Sequence, residues 1–564
     1  MHMESRPSSS DALLPDGQAA RRFVACAVGL VVLLAVSKAL AAYSGVKAAT
    51  YILPILAVLV LAPRIGLAWA APAVKALLVL SLSALLLNIV PDSTWDGNMY
   101  HKVAIVALHD GWNPWLFPEF SDWAATRSEI YYSSSVWDGN PNAMWVSHYP
   151  NLSWLFSAAL MDYGFGWESG KALNLLLAIA LFVYARTVFR QYLPNRWQVE
   201  VLALLAVACQ PIVGQLPTNY VDGCTYSVIA LTTLCILDRD RSPAVNVIVW
   251  CSLIILAGVK FTGALYAAML ALPFLVVRRP GLKEIATWSL LGAIALSHPY
   301  LNHIASDLDI GYPVTGTDIV LRGQAEASVL EKPRIRTLAE SLLAHTSNAT
   351  TFPGMKIPGT FAMDEIKQSG APDPRFAGFG PLFSLALMIA AVAIVLALVL
   401  ERRNRRQCIN HWYLLAAVAY LVVMAIAHAA PWWARYVPFL YLALILVLLV
   451  CSGSTIRGVR VASSLASLVM VVNAVLVFAG VAQYTSDFAL RPAMQANRAI
   501  SAQYQQGEHV IVAAPQFFGF STLYHTQHVL GIKDVEYQVS GMDNTACEGP
   551  QQIGDWIGFS KLCR

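Results

Sequence analysis

The feature of this sequence that most constrains its fold is a long series of apolar runs, each close to twenty residues in length. An α-helix needs about twenty residues to cross the apolar core of a bilayer. Charged residues make up only 13% of the chain, against roughly 25% in soluble proteins. Thirteen runs begin near residues 22, 48, 71, 167, 198, 223, 243, 261, 284, 378, 412, 433 and 461. The sequence therefore predicts an all-α polytopic membrane protein with about thirteen transmembrane helices.

Basic residues between the apolar runs predict the orientation of the chain, because Lys and Arg are enriched in cytoplasmic loops. When Arg21 and Arg22 are placed in the cytoplasm, every short basic connection falls on the same side. These connections contain Arg64, Arg186, Arg190, Arg196, Arg239, Arg241, Arg278, Arg279, Lys283, residues 401–406, Arg457 and Arg460. We expect a cytoplasmic N-terminus and an extracytoplasmic C-terminus. The count requires residues 149–164 to form a helix that lies in the membrane interface or dips partly into the membrane, instead of a further span.

The polar segments divide the chain into three expected regions. Residues 1–20 are polar and Ser-rich, which is typical of a disordered cytoplasmic tail. Residues 21–483 are the transmembrane domain, with long outer loops at 91–166 and 302–377. Residues 484–564 are expected to form a small extracytoplasmic α/β domain. There LRPAMQANRAISAQYQQ has a helical pattern, and HVIVAA and VEYQV have the pattern of strands.

The cysteines fall into two groups. Seven of the nine lie in or beside apolar runs and are expected to be small core residues. Cys547 and Cys563 lie in the C-terminal tail, where an oxidising compartment favours a disulfide between them over two free thiols.

The net charge of +4 is small and concentrated at helix ends, so no nucleic-acid partner is expected.

The first outer loop opens with PDSTWDGNMYHK, which places carboxylates directly after an apolar run. Asp96, beside Trp95, Tyr100 and His101, lies where the membrane meets water, and a carboxylate there can act as a general base on a hydroxyl group. An equally simple reading is that Asp92 and Asp96 cap the helix that follows. The tetrapeptide WDGN recurs at residues 137–140, so Asp138 competes with Asp96 for the role of base.

Three further charged residues are predicted to lie on the same outer side. Asp222 is in QLPTNYVDGC, Lys260 is in GVKFTG between two apolar runs, and Arg435 is in PWWARYVP. Both cations break the positive-inside pattern, and the alternative for them is to extend towards lipid headgroups. Charges at the membrane edge are usually paired and mark a substrate path. Arg and Lys beside carboxylates suit a lipid phosphate as substrate, whereas a purely structural Asp222–Lys260 pair is the alternative.

Several motifs occur in an order that resembles a known superfamily of enzymes. WDGNMYH is followed by HYPNLSWLFSAAL, by a run ending in YAR, and then by PTNYVDG, VKFTG, PYLNHI with GYPV at 299–314, and WWARYVP. Together they cover most of residues 91–440. This layout resembles bacterial membrane glycosyltransferases of the GT-C superfamily and is similar to protein O-mannosyltransferases and aminoarabinose transferases. Two features differ from those enzymes: three runs precede the acidic loop, and Gly97 stands where they often carry Glu.

The resemblance implies an inverting glycosyltransferase of the bacterial inner membrane. It would transfer a sugar from a polyprenyl-phosphate donor to a glycan or lipid acceptor of the cell envelope, with membrane lipids around it. By motif position Asp96 becomes the catalytic base. The other residues implied to bind substrate are Tyr100, His101, Asp138, His148, Tyr149, Asp222, Lys260 and Arg435.

No cluster of His and Glu has metal-ligand spacing, so we expect no metal cofactor. Three other functions remain open at this stage. A transporter or flippase of lipid-linked sugars would place its polar groups near the bilayer midplane. A glycan ligase or polymerase would use the same lipid phosphate, and a scaffold protein would present the tail to partners.

Overall fold

Helices make up most of the chain. The computed structural model describes residues 15–313, 315, 325–400, 405–507, 510–539, 551–552 and 561–563. The first three predicted spans are helices α1 (Pro15–Ser44), α2 (Ala49–Ile65) and α3 (Ala70–Asn88). The segment that follows contains five short helices: α4 (Lys102–Asp110), α5 (Phe120–Ala124), α6 (Ser134–Trp137), α7 (Asn142–His148) and α8 (Leu152–Asp162).

Seven helices form the central part of the protein: α9 (Ala172–Phe189), α10 (Arg196–Val207), α11 (Gln210–Val213), α12 (Asp222–Leu237), α13 (Pro243–Val259), α14 (Phe261–Arg278) and α15 (Leu282–Ala305). Three short helices lie in the second long segment: α16 (Ala327–Leu330), α17 (Arg334–Leu342) and α18 (Met363–Ser369). Four long helices follow: α19 (Phe383–Leu400), α20 (Arg405–Ala427), α21 (Phe439–Ser452) and α22 (Arg457–Thr485).

The tail contains two helices and a small sheet. The helices are α23 (Arg491–Gln505) and α24 (Gln516–Tyr524), and the strands are β1 (Val510–Ala514), β2 (Val535–Val539), β3 (Gln551–Gln552) and β4 (Lys561–Cys563). The strand order is β2-β1-β4-β3. Strands β1 and β2 are parallel, and the other neighbours are antiparallel. The expected helix and both expected strands of the tail are confirmed.

A helix lies at each of the thirteen predicted positions, but only some of these helices have the length of membrane spans. Within the described ranges, six helical stretches are long and apolar enough to cross a membrane: Gly17–Ser44, Leu67–Asn88, Ser169–Phe189, Phe261–Arg278, Phe383–Leu400 and Arg457–Gln505. Six shorter apolar helices accompany them. The fold is therefore mostly helical with membrane-length apolar helices, and the number thirteen stays a prediction.

The outward faces of the long helices are apolar. Leu59 of α2, Leu78 of α3, Val399 of α19 and Val475 of α22 are all more than half exposed. Broad exposed apolar faces are unfavourable in water and mark surfaces that contact lipid or protein. This exposure agrees with the prediction of a membrane protein.

Two expected boundaries fall within helices of the structure. Residues 1–14 are outside the described residues, but α1 already begins at Pro15, so residues 15–20 are helical and the predicted tail 1–20 is too long. A continuous helical stretch from Arg457 to Gln505 crosses the boundary predicted between 483 and 484, and the division into two domains there stays a prediction. The sequence pattern changes there from apolar to amphipathic, whereas the backbone hydrogen bonds continue.

The segment predicted to lie in the membrane interface is a buried helix. Ten of the eleven residues of α8 are buried, so its apolar side chains contact protein on all sides. Of the cysteines in the apolar runs, Cys209, Cys224, Cys235, Cys251 and Cys451 are buried and Cys26 is partly buried. Cys547 and the side chain of Cys563 lie outside what the structure describes, so the Cys547–Cys563 disulfide stays a prediction.

The central helices hold basic residues at one end of the protein. Arg21 of α1 pairs with Asp238, which follows α12, at 2.8 Å, and Arg278 at the end of α14 donates to the backbone carbonyl of Asp238 at 2.9 Å. Helix α12 begins at Asp222, so the opposite end lies about 24 Å away at 1.5 Å per residue. The basic residues near the start of α1, after α12 and at the end of α14, which the sequence placed on one side, thus lie at the same end.

The tail packs against the first long segment at the other end. Ser521 of α24 donates to the backbone carbonyl of Asn98 at 2.9 Å, and Gln516 donates to the backbone carbonyl of Asp138 at 2.6 Å. The ring of Phe518 meets Trp95 edge-on at 5.2 Å. Helix α24 therefore holds the loop that carries the proposed base.

Candidate functional site

Arg435 lies among three carboxylates in the connection between α20 and α21. The nearest oxygens are Asp373 Oδ2 at 3.2 Å from Nη1, Asp96 Oδ2 at 3.5 Å from Nη2 and Asp222 Oδ2 at 3.6 Å from Nε. These three residues come from distant parts of the chain and meet only because the helices pack as they do. With Lys260 they form what we call the carboxylate–arginine cluster: Asp96, Asp222, Lys260, Asp373 and Arg435.

Asp222 and Lys260 form the more buried part of this cluster. Asp222 is the first residue of α12, and Lys260 is the single extended residue between α13 and α14. The ammonium group of Lys260 donates to Asp222 Oδ1, and Gln215 donates to Asp222 Oδ2 at 3.0 Å. The side chains of Lys260 and Arg435 are only 10% and 12% exposed, so the alternative that they extend to lipid headgroups is wrong.

Aromatic rings surround the two cations. The guanidinium carbon of Arg435 lies 4.8 Å from the ring centre of Trp433, 5.1 Å from Tyr220 and 5.2 Å from Tyr436. Lys260 lies 4.3 Å from the ring of Tyr436. Cations are attracted to aromatic faces, and the attraction increases when water is excluded. The rings therefore hold both cations in place and leave the N–H groups of the cations free to bind oxygen ligands.

The carboxylate of Asp96 is available, whereas that of Asp92 is saturated. Asp92 is fully buried, and its two oxygens accept four hydrogen bonds, two from Thr94 and two from Asn219, at 2.6–2.9 Å. Asp96 makes no capping hydrogen bond and its side chain is 20% exposed. The capping alternative is thus wrong for both residues. Thr94, whose Oγ1 accepts a hydrogen bond from the backbone N–H of Gly97 at 3.3 Å, caps this helix, and Asp92 holds Thr94 in place.

Gly97 is required by the way this loop is packed. A Cβ atom at residue 97 would lie 2.1 Å from Asp92 Oδ2 and 2.5 Å from Thr94 Oγ1. Both atoms are held by hydrogen bonds and cannot move aside cheaply. The glycine at this position, where the resembling enzymes often carry glutamate, therefore follows from the hydrogen-bonded position of Asp92.

Asp373 belongs to the site although the sequence reading did not select it. Trp433 donates to its backbone carbonyl at 3.2 Å, and the side chain is 18% exposed. Burial raises the pKa of Asp373 to about 6, with Asp96 adding to the rise and Arg435 opposing it. Its signal in the sequence is the PDPR motif at 372–375, a carboxylate held between two prolines in the second outer loop.

Three of the predicted substrate-binding residues lie next to Asp96. The ring of Tyr100 is 4.4 Å from His101 and 5.6 Å from Tyr149. Burial lowers the pKa of His101 to about 4, so this ring is neutral at neutral pH and its Nδ1 accepts a hydrogen bond from Trp154 at 2.7 Å. Burial, with the Asp96 charge, raises the pKa of Tyr100 well above its ordinary value. These groups stay uncharged beside the carboxylate.

Two predicted substrate-binding residues lie outside the cluster. His148 Nε2 is 3.2 Å from Glu119 Oε1 and its Nδ1 is 3.2 Å from His303 Nε2. Asp138 is exposed. In the described part of the chain, neither side chain forms an ion pair or hydrogen bond with the cluster. The cluster therefore does not include them, and their predicted role in substrate binding stays a prediction. The repeat of WDGN and the HYP motif are local features that carry no information on packing.

The described residues contain no group of three or more His, Cys, Asp or Glu side chains that could hold a metal ion. The guanidinium of Arg435 already lies between the carboxylates of Asp96 and Asp373. The absence of a metal cofactor stays a prediction.

No protein-family model, curated protein or solved structure matches this chain.

Proposed function

We propose that this protein is a membrane glycosyltransferase that moves a sugar from a polyprenyl-phosphate donor to a hydroxyl group of a cell-envelope glycan or lipid. The observation that carries the proposal is the position of Arg435. It is held at 3.2–3.6 Å from three carboxylates, beside Lys260, at one end of apolar helices. Such a site offers cations for a lipid phosphate and a partly exposed carboxylate for the acceptor.

Each group has a role in the proposed transfer. Asp96 takes the proton of the acceptor hydroxyl as the acceptor oxygen forms a bond to the anomeric carbon of the sugar. The bond between that carbon and the phosphate oxygen breaks on the opposite face, and its electron pair leaves with the polyprenyl phosphate. Arg435 and Lys260 stabilise the charge that develops on this phosphate. Proton, sugar and charge are all accounted for without a further reactant.

Asp373 adjusts the charge of the site. With all groups ionised, three carboxylates face two cations, so an incoming phosphate diester meets an excess of negative charge. Asp373, with a pKa of about 6, can take up a proton close to neutral pH. Once protonated, Asp373 donates a hydrogen bond to a phosphate oxygen. The two remaining carboxylates, Asp96 and Asp222, are then matched by the two cations, Arg435 and Lys260. Donor binding is then coupled to proton uptake.

We further propose that all thirteen helices span the bacterial inner membrane, with the N-terminus in the cytoplasm and the C-terminus outside. The support is that the basic ends of α1, α12 and α14 meet at one end, and basic ends face the cytoplasm. The cluster and the tail then face outward, where a lipid-linked donor replaces a nucleotide sugar. A periplasmic-activity reporter fused after Arg564 should be active and one fused after Arg406 silent; the reverse pattern would overturn this orientation.

The decisive experiment for the reaction uses purified full-length protein and a panel of radiolabelled polyprenyl-phosphate sugars with membrane extract as acceptor source. We expect the label to move to a new product with wild-type protein and to stay on the donor with Asp96→Asn. A second arm places the protein in sealed vesicles. If the label crosses the bilayer still attached to the intact donor and forms no product, the protein is a transporter and the proposal is wrong.

A further inference from the structure

A groove with a volume of about 600 Å³ lies between α12, α14 and α20, at the end of the protein away from the cluster. Its wall includes Leu270, Pro273, Ala416 and Leu421. On α14 it extends from Val277 to Leu270, which is about 10 Å along a helix. The volume falls within the roughly 300–1,000 Å³ range of ligand pockets. The groove is therefore deep enough and apolar enough for part of a lipid chain.

The mouth of the groove is basic. Arg239 and Arg241 line it and both are exposed. Arg241 donates to the backbone carbonyl of Val277 at 3.0 Å, and the guanidinium of Arg239 lies 5.0 Å from the ring centre of Tyr192. In the part of the chain that the structure describes, neither guanidinium pairs with a carboxylate.

The carboxylates next to these arginines in the chain are paired with a different arginine. Asp238 and Asp240 pair with the buried Arg21 at 2.8 and 3.1 Å. Arg239 and Arg241 therefore keep their positive charge available at the rim. Basic pockets between membrane helices are typical binding places for the headgroups of anionic lipids.

We infer that this groove binds one molecule of an anionic phospholipid, with an acyl chain between α14 and α20 and its phosphate on Arg239 and Arg241. Tyr420 of α20 donates to the backbone carbonyl of Met269 on α14 at 2.7 Å, which closes the inner end of the groove. The chain fills space that these helices leave open, and the arginines position the headgroup. The inference is independent of the proposed transfer reaction.

The test is native mass spectrometry of the full-length, delipidated protein with phosphatidylglycerol and, separately, with phosphatidylcholine. We expect one phosphatidylglycerol to bind per chain at least tenfold more tightly than phosphatidylcholine. The double variant Arg239→Gln/Arg241→Gln should lose this preference. Ala416→Trp, which fills the groove and leaves both arginines in place, should weaken phosphatidylglycerol binding by a similar factor. The unfolding temperature of each variant confirms that it is folded.

The matched control is Arg196→Gln, which removes an exposed arginine at the start of α10. It should bind phosphatidylglycerol as the wild type does. Equal binding of the two lipids would overturn the inference. So would a loss in Arg196→Gln equal to that in the double variant, or full binding by Ala416→Trp, because each shows that charge at the surface and not the groove retains the lipid.

Discussion

Helix α12 begins at one ion cluster and ends at another, and the two are built in different ways. At its C-terminal end, Asp238 accepts hydrogen bonds from Arg21 at 2.8 and 2.9 Å, from Tyr184 at 2.9 Å and from Gln191 at 2.7 Å. At its N-terminal end, Arg435 is shared among three carboxylates at 3.2–3.6 Å. The side chain of Asp238 is fully buried, whereas that of Asp96 is 20% exposed.

This difference separates a cluster that holds the fold from one that can bind a ligand. A buried ion pair is favourable only when its geometry is good and its remaining hydrogen-bonding groups are satisfied, as at Asp238. The contacts of Arg435 are longer, at 3.2–3.6 Å, and Asp96 is partly exposed, so the charges of the unliganded cluster do not reach their full interaction energy. A bound phosphate and hydroxyl group can form further interactions with these charges. Substitutions at the Asp238 end of α12 should therefore change stability, and substitutions at the Arg435 end should change transfer rate or donor affinity.

The largest expected effect is on the rate of transfer in Asp96→Asn. Loss of a general base typically lowers the rate by roughly 10²–10⁴-fold. The stability should change little, because Asp96 makes one long ion pair and caps no helix. Single-turnover kinetics and the unfolding temperature, measured on the same preparation, separate the two effects.

Asp138→Asn is the matched control, since it changes the same residue in the second WDGN tetrapeptide. It should keep wild-type turnover. If Asp138→Asn loses activity and Asp96→Asn retains it, the choice of base is wrong and the cluster has another role.

Asp238→Ala should show the opposite pattern. Removing one partner of a buried ion pair leaves the other charge unsatisfied, which costs about 3–5 kcal/mol. We expect a loss of that size in the free energy of unfolding in detergent, and near-normal turnover per folded molecule. If Asp238→Ala keeps the wild-type free energy of unfolding but loses transfer activity, the assignment of a structural cluster to this end of α12 is wrong.

Asp373→Asn should stabilise the protein and impair its function. The pKa of Asp373 in the folded protein is about 6, above its ordinary value of about 3.9. The wild type therefore loses stability as the pH rises from about 4 to 6, and the loss is complete above 6. Above pH 6 the variant should be more stable by up to about 3 kcal/mol, and below pH 4 the two should converge.

Unfolding curves of wild type and Asp373→Asn at pH 4, 6 and 8 test this expectation. Donor binding to the wild type should also tighten as the pH falls through 6, while the variant shows no such dependence. Equal stability of the two proteins at pH 8 would show that ionised Asp373 is not unfavourable in the fold.

The smallest expected effect is on donor affinity in Arg435→Ala. Hydrogen bonds to charged groups contribute about 1.5–3 kcal/mol, so the dissociation constant of the donor should rise roughly 10–100-fold. Arg336→Ala is the control, because Arg336 is exposed and already paired with Glu340 at 2.8 Å. If Arg435→Ala leaves donor affinity unchanged, the phosphate site lies elsewhere, and Lys260 is the next residue to test.

The sequence alone located the helices, because an apolar run of membrane length is a property of neighbouring residues. It also identified Asp96, Asp222, Lys260 and Arg435, since a charge at the end of an apolar run is unusual enough to be seen locally. The helix and strands of the tail followed in the same way from local periodicity. None of these predictions required knowledge of which residues are in contact in the folded protein.

Only the tertiary structure decided which of these residues meet. It added Asp373, excluded Asp138 and His148 from the cluster, and separated the saturated Asp92 from the available Asp96. Each decision depends on a partner far away in the chain, such as Asn219 for Asp92 or Arg435 for Asp373. Hydrogen-bond saturation and burial are set by how the helices pack, and sequence spacing carries no record of that packing.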